Sequence, residues 1–308
     1  MPDEILSTAK AGLTKAADID VTAREIDFVT RFGRTWEALR DILGIMRPIE
    51  KENGTTLSYK KAHVTLESGA VGEGEEIPYS HATVEEIPFE DLTLEKYAKA
   101  VSIEAVTKWG ADVAIQMTDD EFLNELQGNV MDRFYTFLST GQLTPAPTEK
   151  IENFQMGLAM AIGLVKDKFK KMRKDSTKVA VFVNTMDAYR YLGAANLTVQ
   201  TQFGLDYIEN FMGAEKVFLS SEIAEGKIYA TPESNIVLYH VNPANAGYRQ
   251  LGLQYTTDGE TNLIGFHANG NYNTAVGESF ALMGIKLLVE YIDAIANVTV
   301  SAPAPAGE

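Results

Sequence analysis

Cysteine is absent from this 308-residue chain. Disulfides, zinc–thiolate sites and cysteine nucleophiles are therefore excluded. The absence suits a chain made in a reducing cytosol, and equally a particle that later meets an oxidising exterior. Long apolar runs are missing as well, so no transmembrane helix and no membrane partner are expected. The opening segment MPDEILSTAKAGLTKAADID mixes acids with lysines. It lacks the basic start, apolar middle and small-residue cleavage site of a secretory signal. Positive charge is scarce: 27 Lys and Arg stand against 43 Asp and Glu, a formal net charge of −16. That balance argues against a broad basic face for nucleic acid. It favours solubility through long-range self-repulsion, which salt shortens to about 8–10 Å.

Catalytic and ligand motifs are also wanting. There is no G-x-S-x-G and no H-E-x-x-H, and the four histidines, His63, His81, His240 and His267, form no compact ligand pattern. The stretch GAVGEGEEIPYSH (69–81) resembles a phosphate loop only in its glycines. It has no lysine, its spacing differs from G-x-x-x-x-G-K-[ST], and three carboxylates would repel phosphate. It also lacks the alternating Asp/Asn ladder of a calcium loop. Taken alone it reads as a solvated, flexible tip. Asp119 and Asp120 are neighbours on a helix and point different ways, so they read as helix-cap acids rather than a catalytic pair. No catalytic residue, cofactor or metal is expected.

What is present is a sequence of physically distinct parts. Hydrophobic residues make up 45 %, enough for one large domain or two smaller ones. Residues 1–20 read as an arm. From Thr22 to Leu43, the apolar positions Ile26, Val29, Phe32, Trp36, Leu39 and Leu43 fall at helical spacing, with Gly44 as a stop. Residues 45–101 read as β: two extended arms joined by the Gly/Glu tip, with Pro78 and Pro88 marking edge positions. Such a ribbon is marginal alone in water and wants a partner surface. Residues 118–140 form the clearest helix. Thr118 and Glu121 make a capping-box pattern, and Phe122, Leu126, Val130, Phe134 and Leu138 line one face. A rod of this length spans roughly 30–35 Å.

A second long helix is expected over 149–173, with Phe154, Leu158, Ile162, Val165 and Phe169 on its apolar face. TKVAVFVNT, MDAYRYLGAA, EKVFLSS, GKIYAT and NIVLYHV then alternate strand and helix, a mixed α/β layer. Residues 258–278 predict a hairpin turning around Asn269–Asn271. SFALMGIKLLVEYI reads as one late buried strand, and the tail SAPAPAGE as disordered. The single basic run, KDKFKKMRK (166–174), lies at a helix C-terminus, where the dipole favours cations. A weak contact of Lys168, Lys170, Lys171, Arg173 and Lys174 with nucleic acid or a neighbour's acids is the alternative.

Three stretches, in this order, carry a resemblance: EGEEIPYSHATVEEIPFEDLTLEKYAKAVSIEAV, TDDEFLNELQGNVMDRFYTFLSTG and TNLIGFHANGNYNTAVGESFALMGIKLLVE. The chain resembles the major capsid proteins of tailed bacteriophages, most closely those of phages of Gram-positive bacteria, over about residues 20–300. The resemblance implies an α+β fold of the Hong Kong 97 type, with an N-terminal arm, an extended β-hairpin loop, a peripheral domain with a long spine helix, and an α/β axial domain. The implied boundaries are 1–20 for the arm, 21–44 for the N-terminal helix and 45–98 for the extended loop. The peripheral domain would take 99–148 and 242–300, the axial domain 149–241, and the tail 301–308. The loop tip, with Gly69, Gly72, Glu73, Gly74, Glu75, Glu76 and Tyr79, would touch a neighbouring subunit.

The same resemblance implies a mechanical role in the virion, assembled in the cytoplasm of the host bacterium. Pentamers and hexamers of this chain would close into an icosahedral shell around double-stranded DNA, bound without sequence specificity. Partners would be a separate scaffolding protein, a portal and cement proteins. No lysine–asparagine cross-link is expected from Lys60 or Lys61. The alternatives are an encapsulin-type nanocompartment shell and an α/β enzyme with an unrecognised site.

Overall fold

The computed structural model describes residues 23–43, 48–147, 149–174, 178–192, 199–202, 205–211 and 213–300. The expected arm and tail lie outside these. In chain order the first elements are helix α1 (Ala23–Leu43) and strands β1 (Ile49–Glu50), β2 (Thr55–Thr65), β3 (His81–Leu92) and β4 (Glu95–Ser102). Helix α2 (Ile103–Trp109), a π-helical segment (Asp112–Met117), α3 (Thr118–Leu138) and α4 (Phe154–Lys171) follow. Next come β5 (Val179–Asn184), α5 (Thr185–Leu192), β6 (Gln200–Gln202), β7 (Leu205–Phe211), β8 (Ala214–Ser220), β9 (Lys227–Pro232) and β10 (Ile236–His240). The chain closes with α6 (Ala246–Gln250), β11 (Ile264–Asn271), β12 (Val276–Met283), β13 (Ile285–Val289) and β14 (Ala296–Thr299).

Packing divides the chain into two units. The first holds Met1–Arg34, Glu95–Asn124 and Asn242–Met283; the second holds Thr35–Leu94, Glu125–Val241 and Gly284–Glu308. In the first unit an antiparallel sheet runs β11–β12–β4. Phe28 of α1 stacks on Phe266 at 4.0 Å between ring centroids and meets Phe122 at 6.1 Å. Phe28, not Ile26, takes the buried position on α1, since Ile26 is 51 % exposed.

In the second unit six strands run β14–β9–β5–β8–β7–β6. Within this sheet β5 and β8 pair in parallel and the other neighbours antiparallel. All six residues of β5 are buried, as a strand covered on both faces must be. Val179, Val181 and Val183 pack into the cluster of Leu158, Ala161 and Val165 from α4. Phe182 points the other way, edge-on to Phe134 of α3 at 5.5 Å and stacked on Phe218 at 5.1 Å. Four of the five positions on the i+4 face of α3 land as the spacing predicts: Leu126, Val130, Phe134 and Leu138 are buried, and Phe122 is half-buried. A smaller sheet runs β1–β10–β13.

Several local expectations need correction. Thr118 is not an N-cap. It has helical φ/ψ of −76° and −25°, and its hydroxyl donates to the Ala114 carbonyl at 2.8 Å, because the π-helical segment already feeds the helix. The segment after the tip is not one long arm: β3 pairs with β2, whereas β4 pairs with β12 in another sheet. The late strand is likewise two, β12 and β13, divided at Gly284, where a Cβ would meet Val241 and the Thr93 carbonyl at 3.1–3.2 Å. The second hairpin turns at 272–275 rather than at 269–271, which remain paired in β11.

Candidate assembly surface

The β2–β3 hairpin is anchored at its base and bare along its length. Leu57 and Leu92 are buried with Val241 and Leu288. The register shifts between Leu57 and Ser58, where Leu57 opposes Glu90 and Ser58 opposes Pro88. That bulge accommodates a proline that cannot donate to the ladder. Among the described side chains, none from 58 to 91 is buried. Side-chain hydrogen bonds link the two strands: Thr56 Oγ1 donates to Asp91 at 2.6 Å, and Ser58 Oγ to Glu86 at 2.5 Å.

At the tip the chain reverses at Gly72–Glu75, with Gly74 at φ +85°. The Glu75 amide donates to the Gly72 carbonyl at 3.1 Å, and the Gly72 amide donates to Glu75 Oε2 at 2.8 Å. A loop carboxylate therefore takes the backbone donor that a phosphate cradle would offer. Gly69, Glu73 and Glu76 are exposed beside it. Leu66, Ile77 and Tyr79 present 74 %, 69 % and 92 % of their surface to solvent. His63 and His81 sit two register positions apart, opposite Thr83 and Thr65. Among the described residues no three or more acidic or histidine side chains gather as a metal site.

The basic run is partly neutralised within the chain. Lys168 pairs with Asp293 at 3.0 Å and Lys171 with Asp167 at 2.6 Å. Lys174 bonds the Tyr291 hydroxyl. Arg173 has φ +56°, and the Lys174 amide returns to the Phe169 carbonyl at 2.9 Å. Arg173 thus occupies the left-handed C-terminal position where glycine is usual. Lys170 and Arg173 are exposed.

Sequence reasoning missed a charged cluster in the first unit. Asp119 is only 3 % exposed. Arg24 clasps it with Nε at 2.6 Å from Oδ2 and Nη2 at 2.8 Å from Oδ1, and Lys99 Nζ lies 2.5 Å from Oδ1. Arg24 also donates to Ser279 Oγ at 2.9 Å. Burial pushes the Asp119 carboxyl up, but the hydrogen bonds from Arg24 and Lys99 outweigh that and hold it below the usual carboxylate range. Asp120, one residue on, faces out and bonds Arg31. The helix-cap reading of Asp119 is therefore corrected: it is a buried anion between two cations. Glu25, 2 % exposed, accepts from the Ala268 amide at 2.6 Å and from Thr256 Oγ1 at 2.9 Å, with His267 Nδ1 at 3.3 Å.

Two cavities bear on chemistry. One in the second unit, about 430 Å³, is lined by Asp187, Arg190, Glu225 and Tyr191 among others. Three of its charged residues are engaged with one another: Arg190 meets Asp187 at 3.1 Å and Glu225 at 2.8 Å, and Asp187 accepts the Gly226 amide at 2.5 Å. The other, about 400 Å³ in the first unit, is lined chiefly by apolar side chains.

No family model matches the chain, and no curated protein matches it. Solved structures do. A chain of the cyanophage A-1(L) capsid asymmetric unit superposes with a TM-score of 0.54 at 9 % identity, covering 97 % of this chain and 99 % of that one. The virus-like particle from Pyrococcus furiosus gives 0.47 at 13 % identity, over 90 % of this chain and 100 % of the other. A holo-encapsulin complex from Synechococcus elongatus PCC 7942 gives 0.44 at 13 %, over 87 % and 90 %. The cyanophage match spans essentially both chains end to end, and the chain has the Hong Kong 97-type capsid fold.

Proposed function

We propose that this chain is the major capsid protein of a tailed bacteriophage, a shell subunit that encloses double-stranded DNA. The observation that carries the reading is the β2–β3 hairpin, more than thirty residues without a buried described side chain, on a capsid fold. An isolated two-stranded ribbon is marginal in water. A subunit that keeps one extended has a partner for it, and closed symmetric assembly repeats that contact in every copy. On this reading the hairpin is the extended loop, α3 the spine helix, and the six-stranded sheet with α4 the axial domain. The acids at the tip keep an exposed edge from pairing wrongly before assembly.

Pentamers and hexamers would build the shell in the host cytoplasm, with a scaffolding protein, a portal and cement proteins as partners. The role is mechanical and needs no catalytic residue. Lys170 and Arg173 remain the candidates for a weak contact with DNA or a neighbour. The encapsulin reading shares the fold and differs in contents, so native particles that protect DNA from nuclease support the phage reading and particles filled with an enzyme reverse it. The test of the loop is deletion of residues 70–76. The expected outcome is a folded, soluble subunit that no longer closes shells by negative-stain microscopy; normal shells from that variant would refute the role.

A further inference from the structure

Charge falls differently on the two cavities. The one in the second unit has Glu152, Asp187 and Glu225 among its lining residues. The one in the first unit, about 400 Å³, is walled by Val101 of β4, Ile103 and Val106 of α2, Ile115 of the π-helical segment and Val276 of β12. Among its described lining residues Arg24 alone is charged. In a chain with 43 acids and 27 bases, an apolar cavity whose one lining charge is a guanidinium favours an anion.

Arg24 is anchored with donors to spare. Its Nε and Nη2 donate to Asp119 and Ser279, and its guanidinium carbon lies 5.9 Å from the centre of the Phe266 ring. A guanidinium has five N–H donors. The two on Nη1 have no partner among the described residues, and 31 % of the side chain is exposed. Asp119 is shared with Lys99, so this cluster sets two cations against one carboxylate. The apolar wall is also uncovered: α2 buries none of its residues, and Ile103 is 57 % exposed.

We infer that this cavity binds a small amphiphilic anion, a carboxylate on a hydrocarbon chain. The carboxylate accepts from Nη1 of Arg24, a hydrogen bond between ions, and balances the charge that Asp119 leaves over. The hydrocarbon lies against Val106, Ile115 and Val276 and covers apolar surface that α2 leaves in water. The volume is within the range of small-molecule sites. The site belongs to the single subunit, so it stands or falls apart from the shell reading.

The test uses the full chain, free or assembled, and radiolabelled decanoate in equilibrium dialysis. Decan-1-ol and decyltrimethylammonium serve as neutral and cationic chains of the same length. Decanoate is expected to bind saturably, about tenfold or more tighter than decan-1-ol, and the ammonium not at all. Octanoate, two methylenes shorter, is expected to bind up to about fifteenfold more weakly. A decanoate with a diazirine at its chain end then locates the site by mass spectrometry of peptides; labels are expected within 101–115 or 272–277. Val106→Trp, which fills the cavity from α2, should abolish both binding and labelling. Equal binding of decanoate and decan-1-ol overturns the role of Arg24 and with it the site. Labels confined to other segments, uptake that never saturates, or no binding to the unmodified chain overturn it as well.

Discussion

Arg24 and Asp119, 95 positions apart in sequence, are joined by two parallel hydrogen bonds, Nε to Oδ2 at 2.6 Å and Nη2 to Oδ1 at 2.8 Å. Lys99 completes the cluster from β4. Within the first unit this ties the start of α1 to the start of α3 and to the sheet. Removing one partner of a buried pair leaves uncompensated charge, which costs about 3–5 kcal/mol. Asp119→Asn should lower the urea midpoint accordingly. Asp120→Asn breaks only an exposed pair, 54 % and 40 % exposed, and should cost under about 1 kcal/mol. Equal losses from both variants would show that the burial of Asp119 does not matter.

The same carboxylate sets an acid limit. Its folded pKa is depressed below the ordinary 3.8. Above that ordinary value the unfolded and folded carboxyls are both ionised, and the stabilisation is complete. As pH falls below 3.8 the unfolded chain takes up its proton first, and the contribution is lost as pH drops through the folded value. The stability difference between the unmodified chain and Asp119→Asn should therefore be constant from pH 6 to about 4.5 and shrink below about pH 4. Chemical denaturation across that range measures it; a difference that widens in acid would contradict the assignment.

Two glycines should respond in opposite directions to alanine. A Cβ at Gly128, inside α3, meets nothing within 4 Å, so Gly128→Ala should stabilise by about 0.5–1 kcal/mol through helix propensity. A Cβ at Gly265, in β11, would lie 2.8 Å from Tyr255 Cβ and 2.9 Å from Pro243 Cβ. Gly265→Ala should destabilise by about 1–3 kcal/mol. Thermal unfolding of the two variants side by side checks both signs.

The hairpin should be sensitive at its base and indifferent along its length in the free subunit. Leu92 has no exposed surface and packs with Leu57, Val241 and Leu288, so Leu92→Ala should cost about 2–5 kcal/mol. Val84 is 66 % exposed, and Val84→Ala should stay within about 0.5 kcal/mol. A large loss at Val84 in the unassembled subunit would mean that the ribbon packs on its own copy.

Much of this protein was legible from the order of its residues. Period-four apolar spacing placed α3 and the buried face of α4, since helical neighbours are fixed by local geometry. The poverty of large apolar residues around Gly69–Tyr79 marked a ribbon without a core. The ordered set of three stretches pointed to the capsid fold.

Tertiary structure decided what depends on partners distant in the chain. The pattern around Thr118 looks like a helix start, but the π-helical segment before it supplies the turn and converts the threonine into a mid-helix donor. Asp119 and Asp120 are indistinguishable by local pattern; only the placement of Arg24 and Lys99 buries one and leaves the other in solvent. β4 continues the apparent arm of β3 yet pairs with β12, some 180 positions away. Short-range spacing determines which face of an element is apolar. Which elements meet, and therefore which charge is buried and which apolar surface stays exposed, is decided by long-range packing that no local window contains.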